Sequence, residues 1–93
     1  MAETVSVHVP TALRAHVGDQ ARIELEPGTI REILDRLVDQ HPALKGRLLD
    51  VGGGLNKFVN VYVNDEDVRF LEKLDTPVKP GDAVTLVPSI AGG

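Results

Sequence analysis

Apolar residues recur at every second position near both ends of the chain and at every third or fourth position between them. Val5, Val7 and Val9 alternate with Ser6 and His8. Period two with β-branched side chains predicts a half-buried strand. Pro10 and Thr11 interrupt it, and Gly18-Asp19 supplies turn chemistry. Alternation resumes at Ala21, Ile23 and Leu25 and stops at Pro27-Gly28, which predicts a second strand paired with the first as a hairpin. The period then changes. Ile30, Ile33, Leu34, Leu37 and Val38 fall at i, i+3, i+4, i+7 and i+8, the stripe of an amphipathic helix. Thr29 and Glu32 have capping-box spacing at its start, and His41-Pro42 ends it, because proline disfavours helix in the residue before it.

Beyond the helix, Ala43 to Leu49 predicts one more short turn, with Leu44, Leu48 and Leu49 over the core. Val51 to Gly54 reads as a loop, and Phe58 to Val63 as the strongest strand, with Val59, Val61 and Val63 on one face. Asn64-Asp65-Glu66-Asp67 predicts a tight turn and Val68-Arg69-Phe70 a short returning strand. Phe70, Leu71 and Leu74 are read as closing the core, with an exposed docking patch beside the C-terminus as the alternative. Lys79-Pro80-Gly81-Asp82 turns the chain into a last strand, Ala83 to Pro88. Pro88 has no N–H for a ladder and marks its end. The order is strand, strand, helix, strand, short strand, strand. One helix packed across a mixed sheet buries both apolar faces in two layers. The fold class expected is α+β, of the β-grasp or ubiquitin-like kind, with residues 1–88 as the domain and 89–93 as a flexible tail.

Composition narrows the function. At 93 residues the chain is one domain with little interior to enclose a cofactor or deep pocket. The formal net charge of -4 argues against nucleic acid, whose recognition needs a basic stripe. There is no cysteine, hence no disulfide, thiolate metal site or sulfur-carrying thiol. Neither a leader pattern nor an apolar run of membrane-spanning length is seen, so no membrane role and a cytoplasmic location are expected. His8, His16 and His41 are scattered at no metal-ligand spacing, and no Ser-His-Asp set assembles. Gly52-Gly53-Gly54 lacks the lysine and hydroxyl of a phosphate loop. The acids at 65–67 lack calcium-loop spacing.

The chemistry-bearing feature is the ending Ser89-Ile90-Ala91-Gly92-Gly93. Extended, five residues reach about 17 Å, and glycines let a backbone enter a narrow channel and leave the terminal carbonyl unhindered. At average glycine usage, a Gly-Gly ending arises by chance about once in two hundred chains. A carboxylate there is a poor electrophile until adenylated by ATP; sulfur can then convert it to an anionic, nucleophilic thiocarboxylate. A carrier working this way needs no thiol, acid or base of its own.

The segments Phe58-Val59-Asn60-Val61-Tyr62-Val63-Asn64-Asp65-Glu66-Asp67-Val68-Arg69, Val87-Pro88-Ser89-Ile90-Ala91-Gly92-Gly93 and Val9-Pro10-Thr11-Ala12-Leu13-Arg14-Ala15-His16 resemble the ThiS/MoaD family of sulfur carriers, in its cysteine-biosynthetic, CysO-like branch. Ser89-Ile90 departs from the proline- or alanine-plus-valine common there. The resemblance implies a protein co-substrate rather than an enzyme, with Gly93 as the adenylation and thiocarboxylate site and Ser89 to Gly93 inserted into partner active sites. It implies an E1-like adenylating partner, a pyridoxal-phosphate cysteine synthase as acceptor, and a metal-dependent peptidase that releases the product. ATP, pyridoxal phosphate and metal then belong to those partners, and this chain binds no cofactor. A carrier for molybdopterin, thiazole or a sulfur-containing secondary metabolite, a ubiquitin-like modifier of lysines, and a plain interaction module are the alternatives.

Overall fold

In the computed structural model of the chain, residues 3–50, 52, 54–56 and 59–88 are described. Strands β1 (Val5–His8) and β2 (Arg22–Leu25) pair antiparallel, as the alternation predicts, with Val5 opposite Leu25 and Val7 opposite Ile23. Their connection carries a short helix, α1 (Thr11–Arg14), which the sequence pattern does not announce. Pro10 precedes it with extended dihedrals, and Leu13 turns into the core. Gly18 and Asp19 both have positive φ, 66° and 63°. That left-handed pair turns the chain back toward β2, and it favours glycine and aspartate over bulkier residues.

Helix α2 (Ile30–Gln40) begins with the capping box in full. The Glu32 N–H donates to Thr29 Oγ1 at 3.3 Å, and the Thr29 N–H donates to Glu32 Oε1 at 2.9 Å. Arg36, one turn further on, donates to the carbonyls of Glu26 and Pro27 at 2.9 and 3.0 Å. Gly28 makes room for both side chains: a Cβ there would meet Glu32 Oε1 at 2.7 Å. Ile30, Ile33, Leu34 and Leu37 are fully buried, and His41 caps the helix end. A 3-10 turn (Pro42–Leu44) and helix α3 (Lys45–Leu48) follow, with Leu44 and Leu48 buried.

Two-residue strands β3 (Gly28–Thr29) and β6 (Pro77–Val78) pair antiparallel beside the helix start. They are too short for any period-two signal. The main sheet holds five strands in the order β2-β1-β7-β4-β5, with β4 at Val59–Val63, β5 at Glu66–Asp67 and β7 at Ala83–Pro88. β1 and β7 run parallel at its centre; the other pairs are antiparallel. Val7, Val61, Val63, Val84 and Leu86 face α2 from the inner side of the sheet. This is the mixed sheet and crossing helix of a β-grasp. Among the described residues every buried side-chain nitrogen and oxygen has a hydrogen-bond partner, and no helix is long and apolar enough to cross a membrane.

Two expectations need correction. The returning strand is Glu66–Asp67, and Val68–Phe70 forms a 3-10 turn instead. The cause is local: Asp67 Oδ1 accepts from the Arg69 N–H at 2.8 Å, which caps the turn and ends pairing. With three residues per turn, Val68 enters the core while Phe70 faces solvent at 87% exposure and Leu71 at 38%. Of the three residues read as closing the core, Leu74 alone is buried.

Candidate functional site

The region that matters is the far end of β7. Its entry is the turn at 79–82, where Gly81 takes φ 89°. There the Lys79 N–H donates to Asp82 Oδ2 at 3.0 Å. That bond, and after it the Asn64 side chain, hold the Asp82 carboxyl below the ordinary carboxylate value. β1 accompanies β7 only from Ala83 to Thr85, while β4 accompanies it to Pro88, with Asn60 opposite Val87 and Val59 opposite Pro88. The last three residues of the strand are therefore paired on one side only. Pro88, the last described residue of the strand, has no N–H to donate.

The strand opposite is fixed by a residue that periodicity does not reveal. Arg69 reaches back along β4, its Nη1 donating to Asn60 Oδ1 at 2.7 Å and its Nη2 to the Val59 carbonyl at 3.1 Å. β5 pairs with β4 only at Tyr62 and Val63, so the guanidinium serves the part of β4 that this short strand does not reach. The one sequence signal for it is Asp67 two residues earlier, whose carboxylate sets the turn. A groove of about 360 Å³ opens beside Pro88, between α1, α3 and the start of β4.

The predicted site itself, Gly93 with Ser89, Ile90, Ala91 and Gly92, lies outside the described residues. The other candidates are where the structure can judge them. Asp50 Oδ1 accepts from the N–H groups of Gly52 and Gly54, each at 2.9 Å. Those amides are already turned on a carboxylate, so the loop cradles its own acid rather than a phosphate. Asn64 and Asp65, at φ 53° and 91°, form the two-residue hairpin turn. His8 lies at the end of β1 and His41 at the end of α2. No group of three potential metal ligands occurs among the described residues. Glu24, Glu32 and Asp82 titrate below the ordinary values, led respectively by hydrogen bonds from the Thr4 hydroxyl, the Thr29 N–H and the Lys79 N–H. A carboxyl moved down in this way is a structural anion, not a general acid poised near neutrality.

The comparisons agree with this geometry. The ThiS family model matches residues 7–93. The sulfur carrier protein CysO of Mycobacterium tuberculosis is 42% identical over 91 residues, which cover 96% of this chain and 98% of that protein. In the crystal structure of the Amycolatopsis orientalis BexX/CysO complex, one chain superposes with a TM-score of 0.87 at 45% identity, covering 96% of this chain and 99% of its own length. Small archaeal modifier protein 3 of Haloferax volcanii is 34% identical over 68 residues, 73% of each chain. A ubiquitin-like β-grasp whose last strand runs out past its neighbour, and whose likeness to these carriers spans nearly the whole sequence, belongs to the ThiS family of sulfur carriers, on its CysO-like side.

Proposed function

We propose that this chain is a protein co-substrate whose Gly93 carboxylate carries sulfur as a thiocarboxylate. The observation that carries the reading is the one-sided exit of β7 at Val87 and Pro88, followed by Ser89-Ile90-Ala91-Gly92-Gly93. The family match running through residue 93 supports it. A carboxylate oxygen of Gly93 attacks the α-phosphorus of ATP on an E1-like partner, and pyrophosphate leaves. A sulfide equivalent then attacks the acyl carbon, AMP leaves, and the thiocarboxylate keeps the negative charge. The chain's own part is to present an unhindered backbone carbonyl at the end of a reach of about 17 Å. Every acid, base and cofactor is the partner's. The likeness to CysO supports cysteine biosynthesis in the cytoplasm as the destination, with a pyridoxal-phosphate synthase as acceptor and a metal-dependent peptidase for release. BexX, crystallised with a CysO, is a partner against which binding can be measured.

The test is intact mass after incubation with an E1-like enzyme, ATP and sulfide. The expected gain is the difference between sulfur and oxygen, mapped to the C-terminal fragment. Mapping is required because oxidation of Met1, the one methionine, adds nearly the same mass. A shift confined to the Met1 fragment, or none, overturns the reading. The likeness to small archaeal modifier protein 3 favours one alternative, attachment of activated Gly93 to lysines. It is recognised by an isopeptide bond between Gly93 and a lysine of another protein in place of the sulfur shift.

A further inference from the structure

We infer that the groove beside Pro88 is a docking point for a carboxylate-bearing segment of the protein partner that takes the tail, with Arg47 receiving the carboxylate; the inference rests on the carrier reading above. The groove's floor is apolar, formed by buried Leu13 and Val59. Its sides are Ala12, the α3 backbone at Gly46, and Asn56, and Pro88 stands at its edge. Among the described residues of the lining, Arg47 is the charged one and none is acidic.

Arg47 differs from most arginines in the chain. Arg14, Arg22, Arg36 and Arg69 are each committed to a carbonyl, an amide oxygen or a carboxylate. Arg47 is exposed and, among the described residues, has no hydrogen bond or ion pair. A guanidinium left open beside an apolar floor favours a ligand that combines a carboxylate with apolar surface, because its planar fork takes both carboxylate oxygens at once. The position selects a protein. A partner that takes the tail comes close to Pro88, which stands at the edge of this groove. In a chain of net charge -4, an exposed positive charge in the groove that Pro88 borders also distinguishes acidic partner surfaces from basic ones at close range.

Calorimetric titration of the full chain with BexX tests this. R47E is expected to weaken binding at least tenfold while its thermal unfolding stays that of the parent, and R47K is expected to fall between them. A second variant works without charge. A Cβ at Gly46 would meet nothing within 4 Å, so G46F is expected to keep the parental thermal unfolding and, with a ring added at a lining position, to weaken binding as well. Parental affinity in both R47E and G46F overturns the proposal, and tighter binding by R47E overturns it in favour of a basic occupant. The two readings fail separately. A chain that never gains sulfur, yet loses BexX affinity on R47E, overturns the carrier alone; normal sulfur loading with both R47E and G46F at parental BexX affinity overturns the groove alone.

Discussion

The ladder between β4 and β7 is closed firmly at one end and thinly at the other. At the Val63–Val84 end, Asn64 exchanges two bonds with Ala83: its N–H donates to the Ala83 carbonyl, and its Oδ1 accepts from the Ala83 N–H, both at 2.9 Å. Asp82 adds the capped turn just before, and β1 flanks β7 on its other side. At the Val59–Pro88 end β1 is gone, Pro88 has no N–H to donate, and, among the described residues, the further ties on β4 are Arg69 on Val59 and Asn60 and the Val59 N–H on the Asn56 carbonyl. The same two strands thus serve as anchor and as launching point. Among the described residues, β7 is held by strands on both sides where the chain enters it and by β4 alone at Leu86 to Pro88.

The largest effect that would sharpen this contrast is on function and should leave folding untouched. Deleting Gly92 and Gly93 is expected to abolish sulfur loading and leave the urea midpoint within error. A deletion variant that still loads, or that unfolds, breaks the division between the two ends. Asn64→Ala attacks the firm end. It removes the acceptor of the Ala83 N–H and puts alanine, which tolerates left-handed backbone less well than asparagine, at φ 53°, with an expected cost of about 1–3 kcal/mol by urea denaturation. Arg69→Ala attacks the thin end, where water can replace an exposed side chain, and about 0.5–1.5 kcal/mol is expected. If Arg69→Ala costs more than Asn64→Ala, the ranking of the two ends is wrong. The smallest effect is on pH dependence. Asp82 titrates lower folded than unfolded, so its contribution is present above its unfolded pKa of about 4. It is lost as pH falls through the lower folded value. Asp82→Asn is expected to flatten that acid limb and leave the slope near neutrality unchanged.

Where one apolar face had to be buried, the sequence was readable residue by residue. The stripe Ile30, Ile33, Leu34 and Leu37 and the alternation at Val59, Val61 and Val63 point inward as their periods require. Thr29 and Glu32 cap α2 through local bonds that spacing alone reveals. Legibility failed where a polar side chain decided the backbone. Asp67 stopped a strand that Val68-Arg69-Phe70 would otherwise continue and turned Phe70 outward. Arg69 and Arg47 gain their meaning from neighbours distant in sequence, Val59 for one and Pro88 for the other, and no periodicity encodes such pairs. The proposed site rests on the sequence: Ala91-Gly92-Gly93 lies outside the described residues, and the smallness of its residues is read from the sequence itself.

The central claim, that Gly93 carries sulfur, is tested most directly by C-terminal fragment mass after activation with an E1-like enzyme, ATP and sulfide. The account predicts one oxygen replaced by sulfur in the fragment that ends at Gly93, and no such replacement when ATP is withheld. An unmodified Gly93 fragment, obtained with an enzyme proven active on another carrier, would contradict it.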